Sequence, residues 1–455
     1  MSRTIAAIAT PAAPAGLGVV RLSGEDALHV ADKIFRPARR GAALSLQPGY
    51  SALYGHVYDA DGDIDDCVAL VFRAPHSYTG ENVAELSCHG GLYLLRRVLR
   101  AALAAGASPA EAGEFTRRAF INGKMDLTGA EAVMTLIEAD GRLAAKTALS
   151  AREGAVFRRM EEVKAGLLAA EAAFAAYVDY PDDDIPELDG EALSAALRKA
   201  EAVLAGLLDT FDAGRILREG VDTVIVGSPN VGKSTLMNLL AGCERSIVTP
   251  VAGTTRDVVE ESVRLGDVVL RLADTAGIRE TDDEVEGIGV ERARSRLRAA
   301  ALALVVFDGS RPLGEADRAL MAEADPLSSV AVVNKADKEQ RIELAEIQAR
   351  FPYTVVAAAG TGEGLSALTE AVAVLTGVGN LSAAEPLLAT ERQRDCAARC
   401  LACVREAAGA LEAGFTLDAV SVGVSGALSA LLELTGERAA DAVVNEVFSR
   451  FCVGK

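Results

Sequence analysis

The stretch that decides the fold is Gly227-Ser-Pro-Asn-Val-Gly-Lys-Ser234, which lies between VDTVIV (221–226) and STLMNLLAG (234–242). It matches the phosphate-binding pattern GxxxxGK[ST], which requires a strand before it and a helix after it. Glycines let backbone N–H groups close around phosphates, and the helix N-terminus adds positive potential. Lys233 would reach the β- and γ-phosphates, and Ser234 would ligate Mg²⁺. In isolation the string could also be a glycine-rich turn, so its neighbours matter.

Three further motifs follow in the order that a GTP site requires. Asp274-Thr-Ala-Gly277 comes after a β-branched run, where its carboxylate would lie near Mg²⁺ and its glycine beside the γ-phosphate. Asn334-Lys-Ala-Asp337 also follows a strand-like run, and its carboxylate suits the two N–H donors of guanine. Adenine would leave that acceptor unpaired, so the site should reject ATP. Between them, Thr255 in GTTRD (253–257) would close over Mg²⁺ when a γ-phosphate is bound. Together the motifs predict a GTPase.

The predicted site differs from that of Ras-type GTPases. The residue after the Asp274–Gly277 motif is Ile278, which cannot orient water as a glutamine does. Arg256 and Arg279 lie in loops, and neither is assured of a place near the γ-phosphate. Another group must therefore orient the water and neutralise the developing charge.

The order of strand-like and helical runs in the rest of the sequence predicts the domains. Up to about residue 120, strand-like runs (18–24, 67–75) mix with an amphipathic helix (92–107). Alanine-rich helical sequence follows, broken by the acidic turn at 180–190, and it returns near the end of the chain. Between these helical parts, β-branched runs alternate with helices, which is typical of a doubly wound parallel sheet. The predicted domains are an N-terminal α+β domain (1–120), a helical domain in two parts (121–215 and 380–455) and an inserted α/β domain (216–379).

Composition limits the function. Apolar residues make up 50% of the 455 residues, without a spanning stretch or a secretory signal, so we expect a cytoplasmic protein with no membrane partner. Seven cysteines fit free thiols in a reducing compartment. The formal charge of −19 disfavours a broad phosphate-binding surface. If a nucleic acid is the substrate, a local patch or a partner protein must hold it.

Several strings, taken together, resemble the MnmE (TrmE) family of tRNA-modification GTPases, and the resemblance covers essentially the whole chain. They are GSPNVGKSTLMN, GTTRD, DTAGIRETDDEVEGIGVERA, APHSYTGENVAELSCHGG, GEFTRRAFINGKMDL and the terminal FSRFCVGK. The resemblance implies a folate-binding N-terminal domain that forms a homodimer, a split helical domain and an inserted G domain. It also implies a flavin-dependent MnmG-type partner in a heterotetramer. Together they would add an aminomethyl-type (carboxymethylaminomethyl) group to C5 of the wobble uridine in certain tRNAs, using a tetrahydrofolate derivative.

The resemblance also implies how the missing glutamine and arginine are replaced. A K⁺ ion would lie where an arginine finger acts, bound when two G domains meet, and would offset charge on the phosphate oxygens. Its ligands would be the Asn230 side chain and main-chain oxygens of Thr249, Val251 and Thr254. Glu286 would orient the attacking water and, with Lys233, form the catalytic pair; without the resemblance Glu286 would be interpreted as a surface acid. The residues assigned to GTP are Asn230, Val231, Gly232, Lys233, Ser234, Thr235, Thr249, Thr255, Asp274, Gly277, Asn334, Lys335 and Asp337, with Ser234 and Thr255 on Mg²⁺.

For folate, the resemblance implies Arg21, Glu85, Lys124 and Lys455. Glu85 can accept from the N–H donors of a pterin, while cations meet the glutamate tail. From sequence alone each would be an ordinary surface charge. One departure from the family is Ala358-Ala359-Gly360, where Ser-Ala-Lys usually lies beside guanine, although a backbone N–H there could still contact the base.

Two alternatives come from cysteines and one from related GTPases. Cys396, Cys400 and Cys403 have the spacing of iron–sulfur ligands in radical enzymes, but their helical context favours thiols on a packing face. Cys452 could be a nucleophile, although a structural or redundant thiol is the preferred interpretation. A GTP-gated ribosome-assembly factor is the alternative function, which the acidic balance opposes.

Overall fold

The computed structural model describes residues 3–179, 190–242, 259–273, 297, 300–382 and 385–455. Contacts divide the chain into two compact units, each made of segments distant in sequence. Unit 1 comprises 1–134, 160–188 and 409–455, and unit 2 comprises 135–159 and 189–408. The boundaries between the four segments predicted from sequence stay a prediction.

The sheet of unit 1, in its described residues, has seven strands in the order β3-β4-β5-β6-β2-β1-β7. Neighbouring strands are antiparallel except β1 and β7, which are parallel. The helices α1 and α2 cover one face. Their buried side chains, among them Leu95 of α2, pack with strand side chains such as Leu22 and Leu86. The strands are Ile5–Ile8 (β1), Ala15–Ser23 (β2), Phe35–Pro37 (β3), Ser51–Asp59 (β4), Gly62–Phe72 (β5), Val83–Gly90 (β6) and Ser108–Pro109 (β7).

The sheet of unit 2, in its described residues, has six strands in the order β13-β12-β11-β8-β10-β9. All pairs are parallel except the hairpin of β9 and β10. Buried clusters lie on both faces, as a doubly wound sheet requires, and β11 is buried along its whole length. The strands are Val221–Gly227 (β8), Val259–Leu265 (β9), Val268–Ala273 (β10), Leu302–Asp308 (β11), Ser329–Asn334 (β12) and Thr354–Val356 (β13).

Helices make up most of the remaining described chain. The alanine-rich segments form helices as predicted, while the predicted acidic turn, up to residue 189, lies outside the described residues. The helices are Ala27–Asp32 (α1), Leu92–Ala104 (α2), Glu114–Ile121 (α3), Leu127–Glu138 (α4), Arg142–Arg152 (α5), Ala155–Asp179 (α6), Gly190–Asp209 (α7), Phe211–Glu219 (α8), Lys233–Ala241 (α9), Glu315–Glu323 (α10), Leu344–Arg350 (α11), Leu365–Leu375 (α12), Glu391–Glu412 (α13), Leu417–Thr435 (α14) and Asp441–Ser449 (α15).

Two predicted boundaries were wrong. The strand predicted at 67–75 begins at Gly62 and ends at Phe72. It begins earlier because β4 and β5 stay paired as far as the turn of their hairpin, and it ends earlier because Pro75 has no N–H to donate to a neighbouring strand. The helix predicted at 92–107 ends at Ala104. There Gly106 takes a positive φ of 119°, and the Ala107 N–H closes back onto the Ala102 carbonyl.

Of the described helices, α14 is long and apolar enough to cross a membrane by length and composition. Half of its most apolar stretch is buried inside the protein. On its exposed side the Ser425 hydroxyl donates to Glu171 of α6 at 2.8 Å. This packing is typical of a core helix.

Candidate functional site

The phosphate loop connects β8 to α9. Two of its residues take left-handed backbone conformations, Asn230 with φ 61° and Gly232 with φ 99°. A Cβ on Gly232 would lie 2.2 Å from the Asn334 amide nitrogen, so only glycine fits. Val231 is fully buried and anchors the loop, while Ser234 and Thr235 are exposed in the first turn of α9. The Ser234 hydroxyl is therefore accessible to a hard cation such as Mg²⁺.

Lys233 lies at the centre of the loop. Its ammonium donates to the carbonyl oxygens of Gly227 and Ser228, both at 2.9 Å. Burial lowers the pKa of this lysine, because a charged ammonium is costly to desolvate. Among the described residues this positive charge is held by neutral carbonyls and so is available to an anionic ligand, which is the role predicted for it.

Asn334 joins three parts of the site. Its side-chain amide donates to the Val231 carbonyl at 3.0 Å, and its side-chain oxygen accepts from the Ala359 N–H at 2.9 Å. The residue is buried, so both bonds form away from water. The Ala359 N–H is therefore committed to Asn334 and the Ala358 N–H to the Glu363 carbonyl, and a contact of this loop with guanine stays a prediction.

Lys335 is held by a residue that sequence reasoning missed. Its ammonium donates to the Asn230 carbonyl at 2.8 Å and to the Asp308 carboxylate at 2.6 Å. Burial acts to raise the pKa of Asp308, but hydrogen bonds from Lys335 and Ser310 outweigh it and hold the pKa below its usual value. The available signal was a carboxylate ending the otherwise apolar strand LALVVFD. Asp337, predicted to read guanine, is exposed.

The other predicted residues of this site lie outside the described residues. They include the second Mg²⁺ ligand, the carboxylate after β10, the main-chain oxygens assigned to K⁺ and the residue assigned to orient water. These residues are Thr249, Val251, Thr254, Thr255, Asp274, Gly277 and Glu286.

A second set of predicted residues meets in unit 1. Arg21 of β2 pairs with Glu85 of β6, directly opposite in the strand register, at 2.8 Å. The guanidinium also donates to the Gly454 carbonyl at 3.3 Å, from the far end of the chain. It lies over the rings of Tyr78 and Phe115, 5.7 and 5.5 Å from their centroids. Sequence reasoning missed both rings, although they lie in the quoted strings APHSYTG and GEFTRR.

We refer to Arg21, Glu85, Tyr78, Phe115 and the Gly454 carbonyl as the Arg21 pocket. The other two predicted cations lie close to it. Lys124 donates to the Pro75 carbonyl at 3.0 Å, in the loop that carries Tyr78. Lys455 is fixed through its backbone, since its carbonyl accepts from the Phe115 N–H at 3.1 Å. The structure therefore brings Arg21, Glu85 and the C-terminus together, with Lys124 on an adjacent loop.

A buried polar network holds the same loop. The Ser23 hydroxyl bonds to Thr79 at 2.8 Å and donates to Glu81 at 2.7 Å. Glu81 in turn accepts two hydrogen bonds from Arg118, which also donates to Glu114 at 2.8 Å. Paired charges at this depth fix the loop geometry, because breaking one pair would leave a buried charge uncompensated.

The cysteines follow the predicted local structure. Cys396, Cys400 and Cys403 lie on α13, the first two are buried, and burial raises the pKa of Cys400 to about 12. They lie on a helix, not on a loop that could wrap a cluster. Cys452 is exposed, and its carbonyl accepts from the Gly113 N–H at 3.4 Å.

Comparisons with known proteins agree along the whole chain. A family described as MnmE helical domain matches residues 127–452, and one described as GTP-binding protein TrmE N-terminus matches residues 4–124. A Symbiobacterium thermophilum protein described as tRNA modification GTPase MnmE is 44% identical, over 99% of each chain. A Geobacter sulfurreducens protein of the same description is 41% identical, again over 99% of each. The solved G domain of a T. maritima FeoB iron transporter matches 34% of the chain and 98% of its own length, at 23% identity and a TM-score of 0.25.

Proposed function

Because the chain belongs to the MnmE family of tRNA-modification GTPases, we propose that it couples GTP hydrolysis to carboxymethylaminomethyl addition at C5 of the wobble uridine in certain tRNAs. The carbon donor is a tetrahydrofolate derivative, and an MnmG-type flavoprotein is the partner. That the chain is a GTPase follows from the family itself. The shared description of the relatives decides against the ribosome-assembly alternative.

The observation that carries the proposal is the Arg21 pocket. A GTPase needs no such second site, yet an arginine here lies between two aromatic rings, a carboxylate and the chain terminus. A flat heterocycle with N–H donors suits these groups, since a ring can stack on the half-buried Tyr78 and Glu85 accepts from N–H, while the fully buried Phe115 supports the Arg21 guanidinium. Bound there, a tetrahydrofolate derivative would supply a one-carbon unit. Lys124 and Lys455 would bind its acidic tail.

In the nucleotide site, some of the described residues bind the charged parts of GTP and others fix the geometry of the site. Lys233 neutralises the phosphates and Ser234 ligates Mg²⁺, while Asp337 selects guanine. Asn334 and Lys335 donate hydrogen bonds to the backbone of the phosphate loop. They therefore fix the guanine-binding part of the site relative to its phosphate-binding part. The Asn230 side chain would hold K⁺ in part, and the ion would supply positive charge to offset the charge that develops during hydrolysis, while Glu286 would orient the water.

Homodimerisation through unit 1 is supported by apolar side chains exposed on its sheet. Leu17 of β2, Tyr54 of β4 and Val68 of β5 are exposed by 69%, 54% and 43%. Val68 lies directly opposite Tyr54 in the strand register, so these two side chains form one apolar patch. A second copy of the chain would remove this patch from water.

Reconstitution tests the whole proposal. Unmodified tRNA would be incubated with this protein, the flavoprotein partner, GTP, K⁺, folate and the amino donor, and each component would be omitted in turn. We expect the wobble nucleoside, followed by mass spectrometry, to change only in the complete mixture. Full modification without folate would contradict the assignment of the carbon donor, and full modification without GTP would contradict coupling to hydrolysis.

A further inference from the structure

The helix α2 of unit 1 is locally basic, in a chain whose formal charge is −19. The helix contains three arginines and no acidic residue. Its buried side, Leu95, Val98, Ala101 and Ala102, packs on the sheet. The arginines therefore project from the opposite side, at the spacing that brings i, i+3, i+4 and i+7 onto one face.

The exposed side of α2 combines cations with an aromatic ring. Tyr93 is 69% exposed, and Arg96 and Arg100 are exposed one and two turns further along the helix. Lys33 lies at the C-terminal end, where its ammonium donates to the Ala105 carbonyl at 3.0 Å. We refer to Tyr93, Arg96, Arg100 and Lys33 as the α2 face. Within the described part of the chain, none of its three cations forms an ion pair.

Neighbouring acids are largely occupied by other arginines. Asp59 accepts two hydrogen bonds from Arg97, at 2.6 and 2.7 Å, and Asp63 accepts two from Arg36. Both carboxylates belong to the β4–β5 hairpin beside α2, and Asp61 in the same turn also interacts with Arg97. The hairpin thus pairs with Arg97 and Arg36. Asp59 also attracts Arg100 electrostatically, but its hydrogen bonds go to Arg97, so Arg100 is not held in that pair.

We propose that the α2 face binds the phosphate backbone of the tRNA substrate, with Tyr93 stacking on an exposed base or ribose. Guanidinium groups bind phosphate through paired N–H donors, and aromatic rings supply sequence-tolerant stacking. An acidic protein needs such a patch to attract a polyanion, because the rest of its surface repels it. This proposal depends on the proposed function in one respect, namely that tRNA is the substrate.

Binding of the full-length protein to labelled tRNA, measured by fluorescence anisotropy over a series of KCl concentrations, tests it. Arg96→Gln/Arg100→Gln should weaken binding roughly 10-fold and reduce the slope of log affinity against log salt by about two. Arg96→Lys/Arg100→Lys should restore most of the slope, since lysine keeps the charge. The matched control is Arg142→Gln/Lys146→Gln, which removes two exposed cations at the same i, i+4 spacing on α5 and should change neither quantity.

Substitutions of Tyr93 distinguish the contribution of stacking to tRNA binding from that of charge. Tyr93→Ala should weaken tRNA binding about fivefold without changing the salt slope, and Tyr93→Phe should bind as the wild type does. All variants should hydrolyse GTP at the wild-type rate, which shows that they are folded.

Three results would overturn the proposal: wild-type affinity in the double variant, an equal loss in the α5 control, or lost modification at unchanged tRNA affinity. The last would assign the face to an acidic partner protein. A wild-type protein that binds tRNA through the α2 face but supports no wobble modification would instead refute the proposed function.

Discussion

The nucleotide site and the Arg21 pocket each centre on a cation, but different groups hold it. Lys233 is bound by two neutral carbonyl oxygens at 2.9 Å, whereas Arg21 is bound by the Glu85 carboxylate at 2.8 Å. A phosphate can replace carbonyl dipoles around Lys233 with a gain in charge interaction, but beside Arg21 it would meet a carboxylate. The first site is therefore built for a polyanion, and the second for a ligand that offers N–H donors and rings.

The two sites also differ in how the chain assembles them. The nucleotide site draws on loops at the ends of adjacent parallel strands, where doubly wound sheets bind ligands. The Arg21 pocket combines strands of the N-terminal sheet with the last residues of the chain, and the bond from Arg21 to Gly454 spans 433 positions. Damage to the C-terminus should therefore affect the second site and spare the first.

The largest expected effect concerns charge that the nucleotide site still needs. Ile278 takes the place of a water-orienting glutamine and no arginine is assured of a place near the γ-phosphate, so we expect K⁺ to supply the further positive charge there. GTP hydrolysis should be faster in KCl than in NaCl by about 10³-fold, the lower end of what an arginine finger contributes. Na⁺ is too small for the same ring of oxygens. Steady-state phosphate release at matched ionic strength measures the ratio.

Two variants sharpen this test. Asn230→Ala should abolish the K⁺ response while GDP binding stays nearly unchanged. Glu286→Ala should keep K⁺-dependent pairing of G domains and lose turnover, because ordering of water is separate from charge neutralisation. Equal rates in the two salts, with dimer present, would show that the cation mechanism is wrong for this protein.

The next effect tests base recognition. Asp337→Asn should weaken GTP binding roughly 10²-fold, because two charge-assisted hydrogen bonds to guanine are lost. Xanthosine triphosphate, whose C2 oxygen needs a donor, should bind the variant better than the wild type. Competition against a fluorescent GDP analogue measures both affinities. Unaltered GTP affinity in the variant would remove Asp337 from the site.

Sequence alone predicted those parts of both sites that depend on local motifs. The phosphate loop and its strand and helix could be predicted because each lies within a few residues of the others. Asp308 could not, since its contact with Lys335 depends on the parallel register of β11 and β12. Nor could the contact of Tyr78 and Phe115 with Arg21, because it depends on how a loop and a helix pack on the sheet. The pairing of Arg21 with Glu85 likewise required the register.

A smaller effect tests the Arg21 pocket. Arg21→Ala should weaken binding of 5-formyl-tetrahydrofolate roughly 30-fold, since the variant loses a ring contact and leaves Glu85 unpaired. GDP affinity should stay the same, which keeps the two sites distinct. Arg36→Ala is the control, because it removes a different arginine–carboxylate pair, Arg36 with Asp63, from the same sheet. Isothermal titration provides the affinities. No binding by the wild type would end the folate assignment.

The smallest effect concerns Asp308, through which unit 2 holds Lys335 against the phosphate loop. Asp308→Asn should weaken GDP binding about fivefold, because Lys335 loses a charged partner and its geometry loosens. Burial raises the pKa of Asp308, but bonds from Lys335 and Ser310 outweigh it and leave the pKa below the usual value. The carboxylate therefore stays ionised as the pH falls, so the difference between wild type and variant should be constant from pH 8 to about 5 and disappear only below about 4. Asp222→Asn, which removes an exposed partner of Arg271, should leave GDP affinity unchanged. A difference that fades already between pH 7 and 6 would place the ionisation elsewhere, and Asp308 would then have no part in positioning Lys335.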